Sequence, residues 1–151
     1  MRRGLLLLPL LLFPVCGCRK ETVTIDEFHS REVKLPDGGK LRAEVMYNPA
    51  DMMRGMMFRD SLAADRGMLF IHTTPGKYSY WMYQVKIPLD IIWMDRNRRI
   101  VEISANTPPC RSVSSKECPH YGGSKDALFV LELAGGVAAR HGLNVGDMLQ
   151  F

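Results

Sequence analysis

The apolar residues of this chain come in short runs, interrupted at close intervals by turn signals, and that pattern constrains the fold more than any other feature. Glu32–Leu35, Leu41–Tyr47, Met68–His72, Tyr78–Tyr83, Leu89–Asp95, Ile100–Ser104 and Leu128–Leu133 alternate or are rich in β-branched and aromatic residues. Pro36-Asp37-Gly38-Gly39 is a hairpin turn between the first two runs, and Arg96-Asn97-Arg98-Arg99 joins two others tightly. Asn144–Asp147 is read as a turn into a last strand ending at Phe151. Only two stretches read as helix. Asn48-Pro49 supplies an N-cap and a first-turn proline for Ala50–Phe58, although Gly55 keeps that helix short. The second runs from Gly135 and is stopped by Gly142, with His141 at its C-terminal end, where a cation is favoured. Short strands at this spacing predict one mainly-β domain, a β-sandwich or barrel carrying one or two short helices.

The first residues are a separate object. Arg2 and Arg3 precede an apolar stretch from Leu5 to Val15 that is interrupted by Pro9 and Pro14. Such a run is about half the roughly 20 residues a membrane-spanning helix needs, and it fits an export signal. Val15-Cys16-Gly17-Cys18 resembles a bacterial lipobox, with Cys18 as the lipidated residue. The chain therefore divides into a signal over 1–17, a polar tether over 18–30 and a single domain over 31–151. Acylation at Cys18 gives more than the two anchoring signals that stable membrane attachment requires. The expectation is an exported lipoprotein facing the periplasm or cell exterior. Arg19, not aspartate, follows the anchor, so the outer membrane is favoured where there is one.

At 151 residues, with 24% charged and 46% hydrophobic side chains, the composition excludes a disordered chain, a collagen or a coiled coil. Arg2 and Arg3 leave with the signal, taking the formal charge from +4 to +2, so basicity does not indicate a nucleic-acid partner. No Gly-x-Ser-x-Gly elbow, phosphate loop, His-Glu-x-x-His or dinucleotide fingerprint is present.

Arg54-Gly55-Met56-Met57-Phe58-Arg59, Gly67-Met68-Leu69-Phe70, Trp81-Met82, and Ile87-Pro88-Leu89-Asp90-Ile91-Ile92 follow in order, and together they resemble domain-of-unknown-function family 192. Cys110 with Cys118-Pro119-x-Tyr121, Val130-Leu131-Glu132-Leu133, Gly135-Gly136 and Gly146-Asp147-x-x-x-Phe151 extend the match to the end of the chain. The resemblance implies a jelly-roll-like sandwich and leaves activity open. It breaks after Trp81-Met82, where Tyr83-Gln84-Val85 replaces a Lys-Asn-Thr-like triplet of the family pattern.

Four groups of residues are candidates for chemistry. In an oxidising compartment, Cys110 and Cys118 are read first as a disulfide closing a small loop, with a soft-metal site including His120 as the competing reading. Met52, Met53, Met56 and Met57 fall at helical spacing and are read as an apolar face packed on the sheet, with copper(I) binding as the rival. Tyr78 and Tyr80 are expected on one strand face, with Trp81 and Tyr83 on the other, and aromatics so displayed could stack on sugars. The candidate ligand-binding residues are Arg54, Arg59, Trp81, Asp90 and Glu132, with Glu132 expected to reach toward an arginine. No metal ligand, cofactor or catalytic residue is assigned.

The leading functional reading is a non-catalytic, lipid-anchored envelope domain that binds a small polar ligand or a partner protein. The alternatives are an envelope enzyme acting on carbohydrate or another small substrate, with Asp90 or Glu132 as acid/base, and a copper-handling protein. A raised carboxylate pKa in a concave pocket would favour the enzyme, and carboxylates locked to arginines would favour binding or scaffolding.

Overall fold

The computed structural model describes residues 29–151; the segment read as a signal, Cys18 and the expected tether up to residue 28 lie outside the described residues. Six strands form the main sheet: β1 (Ser30–Lys34), β2 (Lys40–Met46), β3 (Arg66–Gly76), β5 (Leu89–Met94), β6 (Ile100–Thr107) and β8 (Ala127–Ala134). Their order is β1-β2-β3-β8-β5-β6, and every pairing is antiparallel except β2 with β3. A second, two-stranded sheet pairs β4 (Ser79–Trp81) with β7 (His120–Gly122). The helices are α1 (Pro49–Arg54) and α2 (Val137–Arg140). The fold is mainly β and sandwich-like, with no closed barrel among the described residues.

Each face of the main sheet carries its own core because the central strands alternate. Leu69, Ile92, Met94, Leu131 and Leu133 point to one side, where α2 and the C-terminal residues Leu143 and Leu149 cover them. Met68, Phe70, Ile91, Trp93 and Val130 point to the other, beneath Met56, Met82 and Val85. The two-stranded sheet is tied down on that second side, where Trp93 Nε1 donates to the Tyr78 carbonyl at 2.7 Å. Gly122 allows the fit. A Cβ there would lie 2.2 Å from the Trp93 ring, and its φ of +68° is one that L side chains rarely adopt.

The structure alters the sequence reading in several places. Strand β7 was absent from that reading, because three residues containing a glycine carry no alternation. The final segment forms only isolated bridges, Lys34 with Gln150 and Arg99 with Met148, in place of a full strand. Helix α1 ends at Arg54 with Gly55 as its C-cap, and it buries none of its own residues. The methionine expectation divides accordingly: Met56, Met68, Met82 and Met94 are core, whereas Met53 is 62% exposed. Cys110 and Cys118 are joined by a disulfide with Cα atoms 5.7 Å apart, which withdraws both sulfurs from any metal site with His120. Closing so short a loop contributes roughly 2–3 kcal/mol. His141 is the C-cap of α2, and its Nδ1 meets Asp37 Oδ2 at 2.7 Å, pinning the first hairpin to the C-terminal segment.

Asp90 is buried at 1% exposure and is spoken for. Its Oδ1 accepts from the Asn106 N–H and its Oδ2 from the Ala138 N–H, both at 2.7 Å. The second bond satisfies a donor in the first turn of α2 that has no partner within the helix. Replacing Asp90 with alanine strands two backbone N–H groups, and a loss of about 3 kcal/mol in urea unfolding is expected.

Candidate functional site

The residues over the second core leave a cavity of about 340 Å³, walled by the end of α1, by β3 and by β4. Its floor is Glu132. Central strand β8 pairs with β3 and β5, and the register places Glu132 between Met68 and Ile91. Alternation therefore turns the carboxyl toward the same side as Phe70 and Val130. Asp90 pairs with Leu133, one position away, and so projects from the opposite face. The two carboxylates cannot reach a common substrate.

Glu132 is 5% exposed, and its Oε2 has no hydrogen-bond partner among the described residues. The sequence reading expected an arginine there; none pairs with it. Gly55 explains how the backbone of the α1 terminus closes over this oxygen. A Cβ on Gly55 would lie 3.8 Å from Oε2 and 3.2 Å from the Phe70 ring, and the residue's φ is +43°. Burial pushes the Glu132 carboxyl up to about 8 from an ordinary value of 4.5. The acid is therefore mostly neutral at pH 7.

Aromatic rings build the walls. Tyr80 packs edge-on against Phe70 at 5.2 Å and Trp93 at 5.9 Å, and its hydroxyl lies 3.2 Å from His72 Nε2. Burial, with Glu132 as the next cause, pushes the Tyr80 hydroxyl above its usual range. His72 stacks flat on Tyr78 at 3.4 Å and is pushed down by burial, which favours the neutral imidazole. Trp81 lies 6.1 Å from Tyr83 and 5.9 Å from His120. All four of Tyr78, Tyr80, Trp81 and Tyr83 line the cavity, contrary to the expected split between faces. Strand β4 is only three residues long, so alternation governs neither Tyr78 nor Tyr83. Met52, Met53, the core residue Met56 and Met57 also line the cavity. Tyr83 and Val85, two positions where the sequence departs from the family pattern, also face this space.

The structure thus brings Glu132, Trp81 and Arg54 to one cavity. Arg54 is exposed at its mouth and also borders a second, more polar cavity of about 490 Å³. Arg59 belongs to that second space, where its Nη1 and Nη2 donate to the two Glu44 oxygens at 2.6 and 2.8 Å. That bidentate pair neutralises both groups. Asp90 lines neither cavity. His72 and Tyr80 were not singled out as site residues in the sequence; the signal was the aromatic cluster itself, but its convergence on Glu132 is a tertiary fact.

The raised acid makes a stability prediction. A carboxyl whose folded pKa exceeds its unfolded value contributes stability that is present below about 4.5 and is lost as pH rises toward about 8. Glu132→Gln removes that dependence. The variant is expected to match the parent near pH 4 and to exceed it by a few kcal/mol at pH 8–9. Urea midpoints across this range check it; parallel curves for the two proteins would contradict the assignment.

Comparison with known proteins agrees with the fold. A crystal structure of a protein of unknown function from Novosphingobium aromaticivorans is 32% identical with a TM-score of 0.71, covering 81% of this chain and 84% of that one. A Sinorhizobium meliloti protein described as a candidate transcription regulator is 27% identical with a TM-score of 0.69, over 79% of this chain and 89% of that one. No curated protein matches the chain significantly. The family model described as DUF192, an uncharacterized ACR, matches residues 32–151. With every strand and helix of the β domain inside that match except the first two residues of β1, the chain belongs to the DUF192 family.

Proposed function

We propose that this domain binds a small molecule in the cavity over β8, with the Glu132 carboxyl as its polar anchor, and that Cys18 tethers the domain to the cell envelope. The observation that carries the first part is the partnerless Oε2 of a buried acid at the base of a ring-lined cavity. A buried polar atom without a partner costs about 1–3 kcal/mol, and a site that receives a ligand is one setting in which the cost is recovered. The dimensions agree, since small-molecule pockets begin near 300 Å³ and are mostly apolar with few polar groups. Envelope attachment is supported by the apolar Leu5–Val15 run and the Val15–Cys18 lipobox.

An enzymatic reading draws on the same acid. A carboxyl with a pKa of about 8 exchanges its proton near neutrality, as a general acid or base does. Asp90 is not its partner in such a mechanism, for its oxygens hold the Asn106 and Ala138 N–H groups. A copper reading rests on the four methionines that line the cavity, and stoichiometric copper in protein purified from the envelope is its requirement.

Two measurements test the proposal. With methionine methyls labelled for NMR, a screen of small aromatic and aliphatic compounds is expected to shift Met52, Met53, Met56 and Met57 while leaving Met94, on the opposite face, in place. Glu132→Leu is expected to weaken those hits about tenfold or more, the scale of one lost polar anchor. Hits that perturb only other regions would contradict the site. For the anchor, mass spectrometry of the mature chain is expected to find Cys18 as a lipidated first residue; an unmodified Cys18 would contradict it.

A further inference from the structure

We infer that the ligand of this cavity is an organic ammonium ion, its cationic head set against the Glu132 carboxylate and among the faces of the surrounding aromatic rings. The inference rests on the binding reading above and adds the ligand's chemical class. It starts from what surrounds Glu132. From β3 come Met68, Phe70 and His72, from β5 Ile91, from β4 Tyr80, and from the α1 terminus Gly55 and Arg54. Among these only Arg54 carries a full positive charge; it sits exposed at the mouth, Glu132 Oε2 has no partner among the described residues, and burial alone shifts the acid. His72 is held toward its neutral form by burial and faces the Tyr80 hydroxyl. His120, on β7, faces Ser79 Oγ through Nδ1 at 3.2 Å. The described residues thus seat a potential anion deep in the fold without an ion-paired countercharge, so the countercharge falls to the ligand.

The walls select the kind of cation. A hydrated metal ion needs several oxygen or nitrogen ligands, and no cluster of three or more His, Cys, Asp or Glu residues exists among the described residues. A sugar needs several convergent hydrogen-bonding groups, and this lining is dominated by rings and thioethers. Aromatic faces do attract alkylammonium groups, whose charge is spread over methyls that pack against rings at little desolvation cost. Tyr80, Trp81 and Tyr83 are the rings that line this cavity, with methionines among their neighbours in the lining.

Binding is then linked to proton release. The free acid holds its proton up to about pH 8, and a bound cation favours the ionised form, so affinity rises with pH below that point. The sign is opposite for a ligand that pairs with the neutral acid.

The test compares choline with 3,3-dimethyl-1-butanol, its neutral isostere, by calorimetry and methionine-methyl NMR. The expected results are binding of choline at least about tenfold tighter than its isostere, a gain approaching tenfold per pH unit between about pH 6 and 8, and loss of the preference in Glu132→Gln. Trp81→Leu, which leaves the acid in place, is expected to weaken choline several-fold and its isostere less. Equal binding of the two compounds at the cavity methyls would overturn the ammonium assignment while leaving the cavity as a binding site. Failure of both compounds to shift those methyls, with other compounds in the screen succeeding, would overturn it in the same way. If no compound of either kind shifts them, the binding reading itself falls.

Discussion

A strand hydrogen-bonded on both sides cannot choose where its side chains point, and β8 is such a strand. Its pairing with β3 and β5 fixes Leu131 and Leu133 on one face and Val130 and Glu132 on the other. The aliphatic pair anchors the core beneath α2 and the C-terminal segment. The alternate positions support the second core, and one of them is an acid where an apolar residue would pack. The polar floor of the cavity follows from that one residue. The layer built from the α1 terminus and the β4–β7 pair covers this face but leaves a space above the acid.

The two candidate carboxylates show how environment separates roles. Asp90 and Glu132 are both nearly inaccessible to solvent. Asp90 receives two backbone N–H groups, and its burial is satisfied by hydrogen bonding that fixes α2 against the sheet. Glu132 lacks any such donor on Oε2 among the described residues, and burial alone drives its pKa upward. The first is a structural joint; the second is a group held ready for a partner from outside.

The fold was largely legible in the sequence, because alternation and turn chemistry are local. The Pro36–Gly39 hairpin, the strands around Leu69, Ile92 and Leu131, and the Gly142 stop all follow from residues near at hand. The Cys110–Cys118 bond was expected from the short loop and from reading the first residues as an export signal. What stayed hidden was long-range. Arg59 finds Glu44 fifteen positions back, and Asp90 finds a backbone donor 48 positions on. The parallel pairing of β2 with β3 leaves no periodic mark. Glu132 could be named a candidate from its interruption of an apolar run, but its surroundings depend on rings delivered by β3, by β4 and by the residues after it.

Glu132, with its Oε2 partnerless among the described residues, holds its proton at physiological pH, and infrared difference spectroscopy between the parent and Glu132→Gln tests this directly. At pH 7 the parent should show the C=O stretch of a protonated carboxylic acid that the variant lacks, replaced by carboxylate bands as the pH passes about 8. A difference spectrum containing only carboxylate bands from about pH 5 upward would contradict it.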